Sequence, residues 1–206
     1  MGYTTKFEGS FSLSPALTGD QTRYLRRFSQ TRRMKRDPSK LDPDPIREAV
    51  GLPPEVEGDF YVGSSASFGE DYNHPSVVKL NYPPDSQPGL WCQWIPTEDG
   101  TELEWDTGEK FYDYIEWLQY LIENFLTPWG IKVNGTVIWS GEDLDDVGAI
   151  EVKDSVVNPR GVVCGNTDED KVEAAIEFLK ERGFGVHSEV LINPDSSEEA
   201  VNGQPD

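Results

Sequence analysis

Residues Gly108–Trp129, GEKFYDYIEWLQYLIENFLTPW, carry the longest apolar periodicity in the chain. Phe111, Ile115, Leu118, Ile122, Phe125 and Trp129 recur at steps of four and three, which aligns them on one helical face. Tyr114, Trp117 and Leu121 widen that face beyond a coiled-coil seam. Asp106 and Glu109 place acceptors where the first unpaired N–H groups of a helix lie. Pro128 and Gly130 supply a stop. The pattern therefore predicts one long amphipathic helix over Glu109–Thr127, and the strand-like segments around it need such a partner to bury their apolar faces.

Working outward, Tyr3–Leu13 alternates with Phe7, Phe11 and Leu13 on one side, the period of a strand. Thr18 and Gln21 have capping-box spacing ahead of a second helix near Thr18–Gln30, whose stripe is Tyr24, Leu25 and Phe28 and whose other face is Arg23, Arg26 and Arg27. Asp37–Pro54 is rich in proline and reads as a surface loop holding one helical turn at Ile46–Val50. Asp59–Val62 and Val77–Leu80 are short strand candidates, and the aperiodic Gly63–Pro75 is a loop. Leu90–Ile95 and Thr101–Trp105 flank Asp99-Gly100 as one hairpin. Ile131–Trp139 and Ala149–Val152 flank SGEDLDDVG as a second, with Asn134-Gly135 as a bulge or a tight turn of its own. After Asn158-Pro159 comes a strand at Gly161–Cys164. A helix follows, capped by Thr167 and Asp170, with Val172, Ala175, Ile176 and Leu179 as its stripe. Val186–Ile192 then reads as a closing strand. The composition of 195–206 is that of a disordered tail.

The expected fold is thus α+β: an antiparallel sheet packed on one long amphipathic helix, with a C-terminal strand–helix–strand extension. The expected domains are 1–157 as the main unit, 158–194 as the extension and 195–206 as the tail. A chain of 206 residues with six Trp, eight Tyr and nine Phe can build such a core. No segment approaches the ~20 apolar residues of a membrane span, and MGYTTKFEG has no apolar run of signal-peptide length. The expected setting is cytoplasmic and away from membranes. Cys92 and Cys164 form no disulfide framework and read as buried thiols.

The net charge is −20. It opposes contacts with nucleic-acid phosphates and suits a solvated acidic surface, a saline cytoplasm, or imitation of a nucleic-acid backbone. Against this background the 18 basic residues are unevenly placed: Arg23, Arg26, Arg27, Arg32, Arg33, Lys35, Arg36 and Lys40 fall within one short stretch. Guanidinium forks hold phosphate or carboxylate bidentately, so Arg32, Arg33, Lys35 and Arg36 are the candidate anion site, the competing reading being pairing with the chain's own acids. Trp91 and Trp94 on LWCQWI are candidate stacking residues for a ring, or plain sheet packing.

His74, beside Glu70 and Asp71, is a loose general-base or metal candidate that lacks a partner at metal spacing. Glu142, Asp143, Asp145 and Asp146 are oxygen-rich but depart from the EF-hand pattern. No nucleophile elbow, Walker or Rossmann pattern occurs, so no catalytic or metal residue is assigned and no cofactor is named.

The segments GYTTKFEG, TRRMKRD, GLWCQW, KFYDYIEWLQYLIENFL and NG(x)V(x)WSGEDLDDVG together resemble a recurring set of uncharacterised bacterial and phage-borne proteins. The resemblance spans roughly Met1–Val157. It implies that this part is one domain in a cytosolic setting, and it implies no mechanism. The functional expectation is an accessory or binding protein that holds an anionic small molecule or protein partner through the basic segment. The alternatives are an enzyme on a nucleotide-like substrate, with Arg32, Arg33 and Arg36 holding charge and His74 or Glu142 moving protons, and an acidic inhibitor that mimics nucleic acid.

Overall fold

The computed structural model describes residues 2–143, 146–161 and 168–183. The readings made above for 162–164, the Thr167–Asp170 cap, Cys164, the strand 186–192 and the tail 195–206 lie outside the described residues, as do Leu144 and Asp145 of the acidic turn. In chain order the elements are β1 (Lys6–Ser14), α1 (Gly19–Ser29), β2 (Lys35–Arg36), α2 (Pro45–Ala49), β3 (Val77–Lys79), β4 (Trp94–Pro96), β5 (Glu102–Trp105), α3 (Tyr114–Leu121), β6 (Lys132–Ser140), β7 (Val147–Lys153), β8 (Val156–Gly161) and α4 (Asp168–Glu181). The fold is α+β. Six strands form an antiparallel sheet in the order β4-β5-β1-β6-β7-β8, and β2 and β3 form a separate two-stranded ribbon. Among the described residues no helix is long and apolar enough to cross a membrane.

The sheet is built on the β1–β6 pair, in register from Lys6↔Ser140 to Ser14↔Lys132. Asn134-Gly135 is neither a turn nor the end of a strand but lies inside β6, opposite Phe11 and Ser12. Gly135 takes φ +140°, and a Cβ there would stand 2.7 Å from the Ser10 carbonyl oxygen, so the close backbone approach requires glycine. Both predicted hairpins form, as β4–β5 and β6–β7. A third, β7–β8, has no Asn-Gly signal. Asp154 and Ser155 both adopt positive φ in the two-residue loop between Lys153 and Val156, the geometry that matches strand twist. The boundary expected at 157–158 falls inside β8.

α1 begins as its sequence dictates. The Thr18 hydroxyl accepts from the Gln21 N–H at 3.3 Å, and the Gln21 side chain accepts from the Thr18 N–H at 2.9 Å. Tyr24, Leu25 and Phe28 are buried.

The long helix is shorter than its periodicity predicts. Thr107, Lys110 and Asp113 all take left-handed backbone conformations, which cannot propagate a right-handed helix, so α3 starts only at Tyr114. Asp106 instead closes a local turn on the Gly108 N–H at 2.8 Å. Beyond Leu121 the helix widens into a π-helical turn over Ile122–Leu126, where the Thr127 N–H reaches back to the Ile122 carbonyl at 2.8 Å. The extra residue in that turn keeps Phe125 and Leu126 buried while Trp129 is only half-buried.

The core is aromatic. Phe7 meets Trp94, Trp105, Phe111 and Tyr114 edge-on at centroid distances of 4.9–5.7 Å. A second cluster joins Tyr24 and Phe28 of α1 to Tyr120 and Phe125. Phe111 keeps its predicted core place without being helical.

Burial sets the alkaline limit of this core. Desolvation raises the phenols of Tyr24, Tyr61, Tyr114 and Tyr120, and pushes Tyr3 up to about 12 against hydrogen bonding from the Asp143 backbone. In the unfolded chain these phenols ionise near ~10. A raised folded value means that their contribution to stability is complete below that point and is lost as pH rises. The urea midpoint is expected to hold up to pH ~10 and to fall steeply between ~10 and ~12. A midpoint constant across that window would overturn the assignment.

Candidate functional site

The stretch after α1 turns into β2, which pairs with β3, and this draws Arg32–Arg36 against three loops. Arg33 is 2% exposed. Its Nη1 donates to the Tyr61 carbonyl at 2.9 Å, its Nη2 to the Asp59 carbonyl, and its Nε to Gln87 Oε1 at 3.2 Å. The guanidinium lies 4.0 Å over the Phe28 ring. Desolvation lowers its pKa, offset by nearby Tyr24 and Tyr120. Arg36 is also buried. It reaches Asp71 Oδ1 at 2.6 Å and Ser76 Oγ at 3.0 Å, over the face of Tyr61.

Lys35 bridges Glu57 at 3.0 Å and Asp85, hydrogen bonding to Asp85 being the main cause of its raised pKa. Arg32 donates to the Leu80 carbonyl and Asn81, stands 4.0 Å from Glu70, and lies 5.8 Å from the Tyr72 ring and 6.0 Å from the Trp91 ring. These four cations thus face the protein's own acceptors.

The two candidate tryptophans separate. Trp91 is half-buried beside Arg32. Trp94 is wholly buried, packs on Phe7, Phe11 and Phe111, and donates its indole N–H to the Tyr114 carbonyl at 2.7 Å, so it offers no surface for stacking. Next to it, burial pushes the Cys92 thiol up to about 12, which makes it a structural thiol.

His74 is placed neither on Glu70 nor on Asp71. Its Nε2 faces Asp42 Oδ2 at 2.9 Å, and its Nδ1 accepts from the Ser76 N–H at 3.2 Å with Ser76 Oγ at 2.7 Å. This is a serine–histidine–aspartate chain, but Ser76 is 0% exposed and Arg36 also holds its hydroxyl, so no substrate reaches it.

The acidic turn is likewise occupied. Asp146 accepts from Tyr3 at 2.7 Å and from the Trp139 indole at 3.0 Å, and Glu142 accepts from the Thr4 N–H at 2.8 Å. Among the described residues no group of three or more His, Cys, Asp or Glu is placed to hold a metal ion.

The open cationic surface lies one helix earlier. Arg23, Arg26, Arg27 and Gln30 follow the i, i+3, i+4, i+7 pattern, so they form a stripe along the exposed side of α1. With Ile46 of α2 and Glu98 of the β4–β5 turn they line a hollow of about 360 Å³. Arg23 pairs with Asp20 at 2.6 Å. Arg26 donates from Nη1 to the Pro96 carbonyl at 2.6 Å and Arg27 from Nε to the Val62 carbonyl at 3.1 Å. Among the described residues neither has a carboxylate oxygen within 4 Å, and a guanidinium carries five N–H donors. Sequence reasoning placed these arginines only as the other face of the helix. Their spacing, continued by Gln30, was the signal.

The burial of Arg33 makes a testable distinction. Arg33→Ala leaves the Tyr61 carbonyl and Gln87 Oε1 without their donor inside the protein and removes one of the two donors to the Asp59 carbonyl. A loss of ~3 kcal/mol or more is expected in urea unfolding. Lys35→Ala, which frees only solvent-accessible acids, is expected to lose much less. Equal losses from the two variants would show that Arg33 is not structural.

Comparison with family models, with curated proteins and with solved structures finds no match, so the reading of the site rests on its own geometry.

Proposed function

We propose that the protein is a soluble accessory protein that binds an anionic group, phosphate or carboxylate, of a small molecule or protein partner in the hollow beside α1. The observation that carries this reading is the contrast within one basic stretch. Arg33, Lys35 and Arg36 are held by internal acceptors, whereas Arg26 and Arg27 line an open hollow with donors to spare. Each is anchored through one nitrogen to a backbone carbonyl, which fixes the guanidinium plane and lowers the entropy lost when a ligand binds. A hollow of about 360 Å³ is at the small end of ligand sites, which commonly measure ~300–1,000 Å³. Arg32, close to the rings of Trp91 and Tyr72, has a smaller part because Leu80, Asn81 and Glu70 already engage it.

The test is thermal unfolding at constant ionic strength with chloride replaced stepwise by inorganic phosphate. The midpoint is expected to rise with phosphate as ln(1 + [L]/Kd). Each charge-assisted hydrogen bond contributes ~1.5–3 kcal/mol, so the double variant Arg26→Ala, Arg27→Ala should lose the shift while Arg32→Ala keeps it. A shift retained in the double variant, or absent from the native protein, would overturn the reading.

A further inference from the structure

The hollow beside α1 is not uniformly cationic. The exposed Glu98 lines it together with the arginine stripe, and among the described residues it has no hydrogen bond or ion pair within the protein. Hydrogen bonds order the backbone of its turn. Asp99 Oδ1 accepts from the Thr97 hydroxyl at 2.7 Å and from the Thr101 N–H at 3.1 Å, the Gly100 N–H returns to the Thr97 carbonyl at 3.0 Å, and the Leu17 N–H ties the Gly100 carbonyl at 2.9 Å. Gly100 takes φ +71°, with Leu17 and Thr22 packed where a Cβ would stand. On the other side Arg26 is tied to Pro96, two residues before Glu98. Among the described residues no Glu98 carboxylate oxygen lies within 4 Å of a guanidinium nitrogen, so the opposite charges share the hollow unpaired.

We infer that the ligand of this hollow is a small zwitterion of the α-amino-acid class, its carboxylate on Arg26 and Arg27, its ammonium on Glu98, and an apolar side chain against Ile46. The inference rests on the anion-binding reading above and deepens it. A carboxylate and guanidinium groups that line one hollow without pairing are complementary to a ligand that carries both charges. A polyphosphate meets Glu98 and the repulsion of a −20 molecule, and a simple cation meets the arginines. A zwitterion has no net charge, so the overall field does not oppose its approach. The volume fits a single amino acid better than a dinucleotide.

The experiment is ligand-observed NMR titration of the native protein with L-leucine, N-acetyl-L-leucine and inorganic phosphate. Acetylation removes the ammonium and keeps the carboxylate. Leucine is expected to bind about threefold or more tightly than N-acetyl-leucine, the scale of one partly exposed ion pair. Glu98→Gln should erase that preference without weakening N-acetyl-leucine, and Arg26→Ala with Arg27→Ala should abolish binding of both. Circular dichroism of each variant reports whether it has folded, and Glu98→Gln alters only an exposed side chain. If N-acetyl-leucine binds as well as leucine, or phosphate binds and leucine does not, the zwitterion inference falls and the anion site stands. If none of the three binds, both fall.

Discussion

The constraint on which the rest of this structure depends is the removal of two guanidinium groups from water. Arg33 and Arg36 lie inside the protein, and a buried cation is tolerated only when nearly every donor finds an acceptor. The acceptors come from far along the chain: Asp59, Tyr61 and Gln87 for Arg33, and Asp71 and Ser76 for Arg36. Satisfying them draws three loops with little secondary structure onto the end of α1. Phe28 and Tyr61 supply ring faces above the same groups, so the cations also bind these loops to the aromatic core.

That arrangement changes the meaning of the charge distribution. In a molecule of net charge −20, a basic segment reads as an exposed island, yet much of it serves to neutralise nearby acids. Glu57, Asp71 and Asp85 are paired with Lys35 and Arg36, and Glu70 stands beside Arg32. What remains accessible is the stripe on α1. It is displaced from the buried group because residues on α1 follow helical spacing, which keeps Arg23, Arg26 and Arg27 opposite the buried Tyr24, Leu25 and Phe28.

The two-sided hollow follows from the same layering. The β4–β5 turn is fastened to Leu17 just before α1, so the backbone that carries Glu98 is tied to the helix that carries the arginine stripe. Arg26 and Arg27, each anchored to a backbone carbonyl, need less ordering when a ligand arrives.

Local chemistry by itself determined the α+β class, two of the three hairpins of the main sheet, the start and buried stripe of α1, and α4. Strand alternation, an Asp-Gly turn and a capping box each act over a few residues, so their outcome is legible without the rest of the chain. The β7–β8 turn escaped because its positive φ values fall on Asp and Ser rather than on Asn-Gly. Tertiary structure decided where α3 begins, since three left-handed residues precede it while Phe111 stays in the core. It also decided which cations remain open. Satisfying the donors of a guanidinium requires partners distant in sequence, 35 residues away for Arg36 and Asp71 and 54 for Arg33 and Gln87, and only the folded chain brings those groups within hydrogen-bond reach.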